Sequence, residues 1–213
     1  MTLGIVKARA RSRTSSVISS LHDQRQRAVE TVASTLDQHQ SFRNLGKLRD
    51  GHCCVITGDM DTEEWDRRGR PDDVDFGPVE VAYIIPFAYT SWEKSTQCPG
   101  QTTSSREVLW HCFPQVRLVG MQVSSINSLL NGITLRDYVH TQFGKYTIAF
   151  KPTDTPNVYE RKLFNRFPSA QRRTLPQSSR IKFTHAPGTE TFELPSTALL
   201  NCHYRLAEIL NAS

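Results

Sequence analysis

Apolar positions along the chain follow a helical period near both ends and a strand-like period in between, which predicts an α+β fold. Charged residues separate the apolar positions of residues 22–39, so this segment predicts one amphipathic helix. Its apolar positions are Ala28, Val29, Val32, Ala33 and Leu36. The segment Leu194–Leu210 has the same period and predicts a closing helix with Ser196 at its N-cap.

Shorter runs predict the strands. The apolar run VEVAYIIPFAY at Val79–Tyr89 ends at Pro86, which is typical of a strand that turns into a loop. Alternation predicts two further strands at Tyr146–Phe150 and Ile181–His185. The aromatic segment Glu107–Val119 predicts a short helix followed by a strand.

An Asn-Gly pair and a histidine stand out in the central part of the chain. Asn131 and Gly132 precede His140, and Asn131 lies nine residues before the histidine. That spacing suits a short metal-binding motif, and the strand at residues 79–86 completes a compact ββα site. Taken alone, Asn-Gly is more often a tight turn, because both residues accept positive φ. A single histidine is more often a hydrogen-bonded core residue.

Over roughly Leu48–Lys151 the chain resembles the HNH endonuclease family, in particular the branch common in fungal genomes. That branch has a Cys-x-x-Thr-Gly opening, an Ala-His-Ile-Ile-Pro strand, an Asn-Gly-x-x-Leu segment and a late His. The closing helix looks like that of the same fungal proteins. The matching residues are Cys54, Thr57, Gly58, Ala82, Ile84, Ile85, Pro86, Phe87, Asn131, Gly132, Leu135 and His140.

The resemblance implies a ββα-metal core of the HNH or His-Me finger type, flanked by the amphipathic and closing helices. It also implies metal-dependent phosphodiester hydrolysis. His140 would offer a ring nitrogen to a divalent metal, and Asn131 would orient the loop or ligate through its amide oxygen. The metal would be Mg²⁺ or Mn²⁺, with Zn²⁺ or Ni²⁺ as alternatives, and no other cofactor is expected.

Two positions depart from the family pattern. Tyr83 stands where the family has the His that deprotonates the attacking water. An imidazole with a pKa of about 6.5 accepts a proton at neutral pH, whereas a phenol with a pKa of about 10 is already protonated. Gly144 replaces an Asp that could steady the metal site or its His.

Two further features have two interpretations each, and a third has one. The acidic block Asp59–Glu80 supplies oxygen ligands, with Glu80 nearest to the strand, or forms a solvated loop. His111 replaces the lost base if it folds inward, or is a buried structural His. The adjacent Cys53 and Cys54 are interpreted as packing residues.

The cysteine pattern argues against a structural zinc site. The chain has five cysteines, an odd number, and no Cys-x-x-Cys pair. We expect a reduced intracellular protein, nuclear or cytoplasmic. The first 22 residues are basic and serine-rich without an acid, so they predict either a mitochondrial presequence or a disordered basic arm.

Length and charge set the organisation. A chain of 213 residues accommodates one domain with a helical extension, here residues 1–45 as basic arm and helix, and 46–213 as the HNH-nuclease-like domain. The longest apolar runs are too short to span a bilayer, so membrane function is disfavoured. The net charge of +5 is unevenly spread: residues 151–190 carry eight Lys or Arg against three acids.

The basic segment YERKLFNRFPSAQRR mixes cations with aromatic residues. This composition suits contact with phosphates and stacking on bases, and equally an ordinary solvated surface. The candidate nucleic-acid-binding residues are Arg161, Lys162, Arg166, Arg172 and Arg173.

Three functions therefore remain open. The first is a divergent nuclease of DNA or RNA whose base is supplied by another group, with Tyr83, Asn131 and His140 in its site. The second is a catalytically inactive module that binds nucleic acid or protein. The third is an HNH-like pocket reused for a small-molecule substrate, as an isomerase or cyclase of fungal secondary metabolism. In the third, Tyr83 donates a proton and His140 accepts one.

Overall fold

The computed structural model describes residues 36–86, 111–119 and 126–212. Contacts divide the chain into two units, Met1–Ser41 and Phe42–Ser213. Of the first unit the structure describes residues 36–41, which begin a helix. Every contact discussed below lies within the second unit.

The described elements confirm the predicted α+β class. The strands form two pairs and one three-stranded sheet: β1 with β2 in parallel, β3 with β4 antiparallel, and β5-β6-β7 antiparallel. The strands are β1 (Met60–Asp61), β2 (Phe76–Gly77), β3 (Val79–Tyr83), β4 (Gly132–Arg136), β5 (Ile148–Pro152), β6 (Val158–Leu163) and β7 (Arg180–Lys182). The helices are α1 (residues 36–49), α2 (Thr62–Arg67), α3 (Pro114–Leu118), α4 (Asp137–Gly144), α5 (Ser169–Arg172) and α6 (Thr197–Leu210), with a 3₁₀ turn at Leu129–Asn131.

The centre of the fold is a ββα unit made of β3, β4 and α4. The register runs from Val79 opposite Arg136 to Tyr83 opposite Gly132, and α4 follows β4 directly. The apolar run that predicted β3 is buried, down to Ile84 and Ile85 just beyond the strand. The ββα arrangement implied by the family resemblance is therefore present.

Two glycines allow close approaches around β3. A Cβ added to Gly46, in α1, would lie 2.9 Å from a methyl carbon of Val81, and one on Gly132 would lie 2.8 Å from the Phe42 ring. Gly132 has φ −118°, which is extended backbone. Asn131 ends a 3₁₀ turn, but neither Asn131 nor Gly132 has positive φ, and the glycine is needed for space.

A buried ion pair joins α1 to the start of β4. Arg49 is fully buried, and its Nε and Nη2 donate to the Asp50 carboxylate at 2.7 and 2.8 Å. Nη1 also donates to the Leu129 carbonyl at 2.8 Å, and Nη2 to the Gly132 carbonyl at 2.9 Å. Asp50 in turn accepts from the Thr134 backbone N–H at 3.1 Å. The pair thus fixes the segment that carries the Asn-Gly motif.

The second half of the chain covers one side of the ββα unit. The inner face of the β5-β6-β7 sheet buries Phe150 and Tyr159, which meet Phe183 at ring-centroid distances of 5.8 and 4.8 Å. Helix α6 buries Leu199 and Leu200 in the same core. This packing supports α4, because Phe143 lies in the core beside Phe150.

Several element predictions hold and several are wrong. Strand β5 lies within two residues of its predicted bounds, and β7 begins one residue before its predicted start and ends three residues before its predicted end. Helix α6 begins after Ser196 as predicted, although the Ser196 side chain makes no capping hydrogen bond. The predicted end of the first helix, at residue 39, is wrong, because α1 continues through residue 49. The strand predicted after Pro114 is a helix, α3. Strand β6 was not predicted, since charged residues occupy half of it.

The cysteines of the described part of the chain agree with their interpretation as reduced residues. Cys54 is buried and Cys53 half-buried, and both are free thiols, as are Cys112 and Cys202. No described helix is both long and apolar enough to cross a bilayer. The predicted basic arm and most of the predicted amphipathic helix lie outside the described residues.

A buried histidine connects α6 to α4. The His203 ring lies between Phe143 and Tyr146, at centroid distances of 3.8 and 4.6 Å. Its Nε2–H donates to the Phe143 carbonyl at 3.1 Å, while Nδ1 has no hydrogen-bond partner among the described residues. Burial disfavours the imidazolium and lowers the pKa of His203 to about 3.

This burial makes the fold sensitive to acid. The folded pKa of His203 lies below the unfolded value of about 6.5, so its contribution is complete above that value and is lost as the pH falls. Between about pH 7 and about pH 4.5 the loss is about 2 to 3 kcal/mol. We expect His203→Phe, which keeps the ring stack, to lose that much less stability over this range in urea unfolding. Equal pH dependence in both proteins would contradict the assignment.

Candidate active site of the ββα unit

The Cys-x-x-Thr-Gly opening is a tight turn docked on β4. The Gly58 N–H donates to the Cys54 carbonyl at 2.9 Å, and the backbone of Gly58 has φ +80°, a conformation that favours glycine. The Val55 N–H donates to the Thr134 carbonyl at 3.0 Å, which attaches the turn to the outer edge of β4. The motif therefore builds the frame of the site and adds no catalytic group to it.

Asn131 holds two chain segments together. Its Oδ1 accepts from the Ile85 N–H at 2.8 Å, and its Nδ2 donates to the carbonyls of Ile85 and Ile126, both at 3.1 Å. The residue is 1% exposed. Both amide atoms are thus engaged with backbone, in the geometry that orients the loop before β4. The amide oxygen does not point to an open position where an ion could bind.

Tyr83 lies at the end of β3 and is held by two contacts. Its hydroxyl donates to Oδ1 of Asn127 at 2.6 Å, and its ring stacks on Phe42 with centroids 4.5 Å apart. Burial raises the pKa of Tyr83, and the nearby Arg43 guanidinium only partly offsets this. The phenol is therefore ionised at neutral pH to an even smaller extent than an exposed tyrosine, whereas proton abstraction requires an ionised group.

His140 projects from α4 and pairs with Glu80 of β3. Its Nδ1 lies 2.9 Å from Oε2 of Glu80, and the two side chains are 36% and 58% exposed. Because a carboxylate only accepts, the pairing places the proton on Nδ1 and leaves Nε2 directed away from Glu80. This carboxylate–histidine arrangement fixes the tautomer and the orientation of the ring. The prediction of a hydrogen-bonded histidine holds, but the residue is not in the core.

Tyr83 and His140 lie on opposite faces of the antiparallel strand pair β3–β4. Side chains alternate along a strand, so Val81 and Tyr83 share one face and Glu80 lies on the other. A Cβ on Gly132 would meet both Phe42 and Val81, which identifies the Tyr83 face as the α1 side. The Glu80–His140 pair lies on the α4 side. The structure therefore does not bring the phenol and the imidazole together.

The described residues do not form a ready metal centre. Across residues 36–86, 111–119 and 126–212, no group of three His, Cys, Asp or Glu side chains is placed to hold a metal ion. His140 and Glu80 are two donors, and Glu80 already bonds to the imidazole. Since the Asn131 amide is fully used by backbone, these residues do not fit the divalent metal that the family resemblance implies.

The acidic block is part structure and part exposed loop. Asp61 is buried, pairs with Lys47 at 2.8 Å and accepts from the Val79 N–H at 3.2 Å. Glu64 is buried in α2; burial alone would raise its pKa, but hydrogen bonds from two arginines lower it. The loop interpretation is therefore wrong for residues 60–67 and correct for much of 68–75, which is mainly exposed.

Two further candidate positions from the sequence are Gly144 and His111. A Cβ at Gly144 would meet nothing within 4 Å, so the missing Asp leaves open space at the end of α4. His111 is exposed, so its interpretation as a buried structural histidine is wrong. Within the described residues, His111 forms no hydrogen bond or ion pair with His140.

The predicted nucleic-acid-binding cations do not share one surface. Arg161 and Lys162 are neighbours on β6 and therefore point to opposite faces of the sheet. Arg161 donates to the Pro176 carbonyl at 2.7 Å, and burial lowers its pKa. Arg166 donates to the Leu210 carbonyl at 3.3 Å. The last two, Arg172 and Arg173, are exposed at the end of α5.

Sequence reasoning missed the Arg49–Asp50 pair. These residues organise the Asn131 segment but carry no catalytic signal of their own. The available signal was the adjacent opposite charges just before the Cys-x-x-Thr-Gly opening, near the predicted start of the HNH-nuclease-like domain. Glu80 was noted as the acid nearest to the strand, and its contact with His140 depends on the β3–α4 packing.

The comparisons with known proteins agree with this geometry. Residues 54–151 match the family model described as HNH endonuclease. The match begins at Cys54 and ends in β5, so it contains β3, β4 and α4. The match covers a little under half of the chain, and within it the sequence is that of an HNH endonuclease domain. No curated protein and no solved structure matches the chain.

The role of Asn131 can be tested with Asn131→Asp. A carboxylate is a better metal ligand than an amide, but here it would face the carbonyls of Ile85 and Ile126 without a donor. We expect a loss of about 2 to 4 kcal/mol in urea unfolding, because two buried acceptors lose their partners and a charge is buried. Asn131→Ser serves as a milder control. Unchanged stability together with tighter Mn²⁺ binding would contradict the orienting role.

Proposed function

We propose that this chain is a divergent HNH-type protein that binds nucleic acid and has lost the phosphodiester hydrolysis of its family. The observation that carries the proposal is the placement of Tyr83. Its phenol is hydrogen-bonded to Asn127 and lies on the face of the strand pair β3–β4 opposite His140. A side chain in that position cannot take a proton from a water that is held near the imidazole.

The donor set supports the same function. Hydrolysis in this family needs an ion that stabilises the leaving oxygen, and the described residues offer no group of three candidate ligands. The substitution at Gly144 removes a further carboxylate at the end of α4. The substitution of the base by Tyr83 and that of the supporting acid by Gly144 therefore both act against hydrolysis.

The family match supports nucleic acid as the partner. HNH domains commonly bind DNA or RNA, and the chain has a net charge of +5. The cations at 161, 162, 166, 172 and 173 remain a prediction for this contact, although they are divided between different surfaces. Binding without cleavage requires only the frame, which Arg49 and Asn131 hold.

A second candidate is residual hydrolysis, favoured by the Glu80–His140 pair. With Nδ1 held by the carboxylate, Nε2 of His140 can accept a proton from water. In this function Glu80 is a positioning residue and His140 is the base. The isomerase or cyclase hypothesis needs the phenol beside the imidazole, and no observation favours it.

A cleavage and binding assay separates these functions. The unmodified chain, Tyr83→His, Tyr83→Phe and His140→Ala are incubated with plasmid DNA and with structured RNA, in separate Mg²⁺, Mn²⁺, Ni²⁺ and Zn²⁺ series. We expect the unmodified chain and Tyr83→Phe to retard nucleic acid in a gel but not to cleave it, because neither has a base at position 83.

The variants decide between loss and replacement of the base. Because position 83 lies on the face opposite His140, we expect Tyr83→His not to restore cleavage. Cleavage gained by Tyr83→His, and absent from Tyr83→Phe, would contradict the placement of Tyr83 that carries the proposal. Cleavage by the unmodified chain that is lost in both His140→Ala and Glu80→Gln would contradict the proposal and establish the residual activity.

A further inference from the structure

The strand register of the second sheet gathers cations that are far apart in sequence. Lys151 lies opposite Glu160, and Glu160 lies opposite Arg180, so one row crosses all three strands. Residues directly opposite each other in antiparallel strands point to the same face. Lys162 and Lys182 belong to that face as well. Lys162 lies two residues after Glu160 on β6, and Lys182 lies two residues after Arg180 on β7.

This face is the outer one. The inner face holds Phe150, Tyr159 and Ile181, which are buried in the core. Lys151, Arg180 and Lys182 are exposed. Helix α6 covers the Ala149 end of the outer face through Tyr204 and Ala207, and the row beyond it stays open. We call the outer positions Lys151, Lys162, Arg180 and Lys182 the basic face.

The charges of the basic face are mostly available to a partner. Glu160 is the single acid on the three strands, which are fully described, and it pairs with Lys162 at 2.5 Å. Within the described residues, the side chains of Lys151, Arg180 and Lys182 form no hydrogen bond or ion pair. The carboxylate of Glu208 lies near Lys151 and is itself paired with Arg205. The face therefore keeps a net positive charge.

The spacing suits a phosphate backbone. Neighbouring strands are about 4.8 Å apart, so cations on the first and third strands of the row lie about 10 Å apart. Lys and Arg at such intervals neutralise successive phosphates without reading base sequence. An open sheet face with flexible cationic side chains fits an extended polyanion.

We propose that the basic face is the surface on which this protein binds the phosphodiester backbone of nucleic acid. This inference rests on the proposed nucleic-acid-binding function and deepens it. The basic face does not include Arg161, which points to the inner side of the sheet, and it adds three cations that the basic segment did not contain.

The test compares two triple variants that remove the same charge. Lys151→Ala, Arg180→Ala and Lys182→Ala remove three of the four cations of the basic face, whereas Arg70→Ala, Arg117→Ala and Lys145→Ala remove three exposed cations that belong neither to this face nor to the basic segment 159–173. Binding to a fluorescent DNA duplex and to a fluorescent single-stranded RNA is measured by anisotropy, from about 0.05 to about 0.2 M salt. Thermal unfolding checks that each variant is folded.

We expect the basic-face variant to bind at least about 10-fold more weakly, and its log K to fall less steeply with log salt by about 2 to 3, since three phosphate contacts are lost. The matched variant should stay within about 3-fold of the unmodified chain. A loss on DNA alone or on RNA alone supports the face and identifies which nucleic acid uses it.

A variant that is expected to bind more tightly controls for losses of binding that are caused by misfolding. Glu160→Gln removes the acid of the basic face and releases Lys162, so we expect tighter binding by about 2- to 5-fold. Equal or greater loss in the matched variant would overturn the basic face, and so would unchanged binding of the basic-face variant. Failure of the unmodified chain to bind either nucleic acid would overturn the proposed function together with this inference.

Discussion

The buried Arg49–Asp50 pair is the interaction on which the rest of the domain depends. A guanidinium without solvent contact is stable only when its donors are satisfied, and here they reach a carboxylate and the carbonyls of Leu129 and Gly132. Removing one partner of such a pair typically costs about 3 to 5 kcal/mol. Because the same donors define the path of the chain before β4, the pair also positions Asn131.

The frame and the chemistry of the HNH fold are separable in this protein. The frame consists of the opening turn, the Asn131 bonds and the small residues that let α1 approach β3. Tyr83 is compatible with it, since Phe42 and Asn127 provide a stack and a hydrogen-bond acceptor. A base could therefore be exchanged for a phenol without disturbing the fold, and the remaining surface is free to bind nucleic acid.

Local signals made the ββα unit predictable, whereas the contacts of its side chains were not. The buried run of β3 and the motif order indicated the strands and α4 correctly. The role of Gly132 was not predicted, because its close approach to Phe42 depends on tertiary packing. The opposite orientation of Tyr83 and His140 depends on strand register, and β6 escaped prediction because its outer residues are charged. The role of Asn131 as a ligand or an orienting residue was open until its three bonds were known.

The most direct test of the account is a crystal structure of the unmodified chain grown with Mn²⁺, with anomalous data collected at the manganese edge. The account predicts no manganese peak within coordination distance of His140, the His140–Glu80 hydrogen bond retained, and Tyr83 stacked on Phe42. A manganese ion bound by His140, with the Tyr83 hydroxyl turned toward it, would contradict the account and restore a catalytic reading of the site.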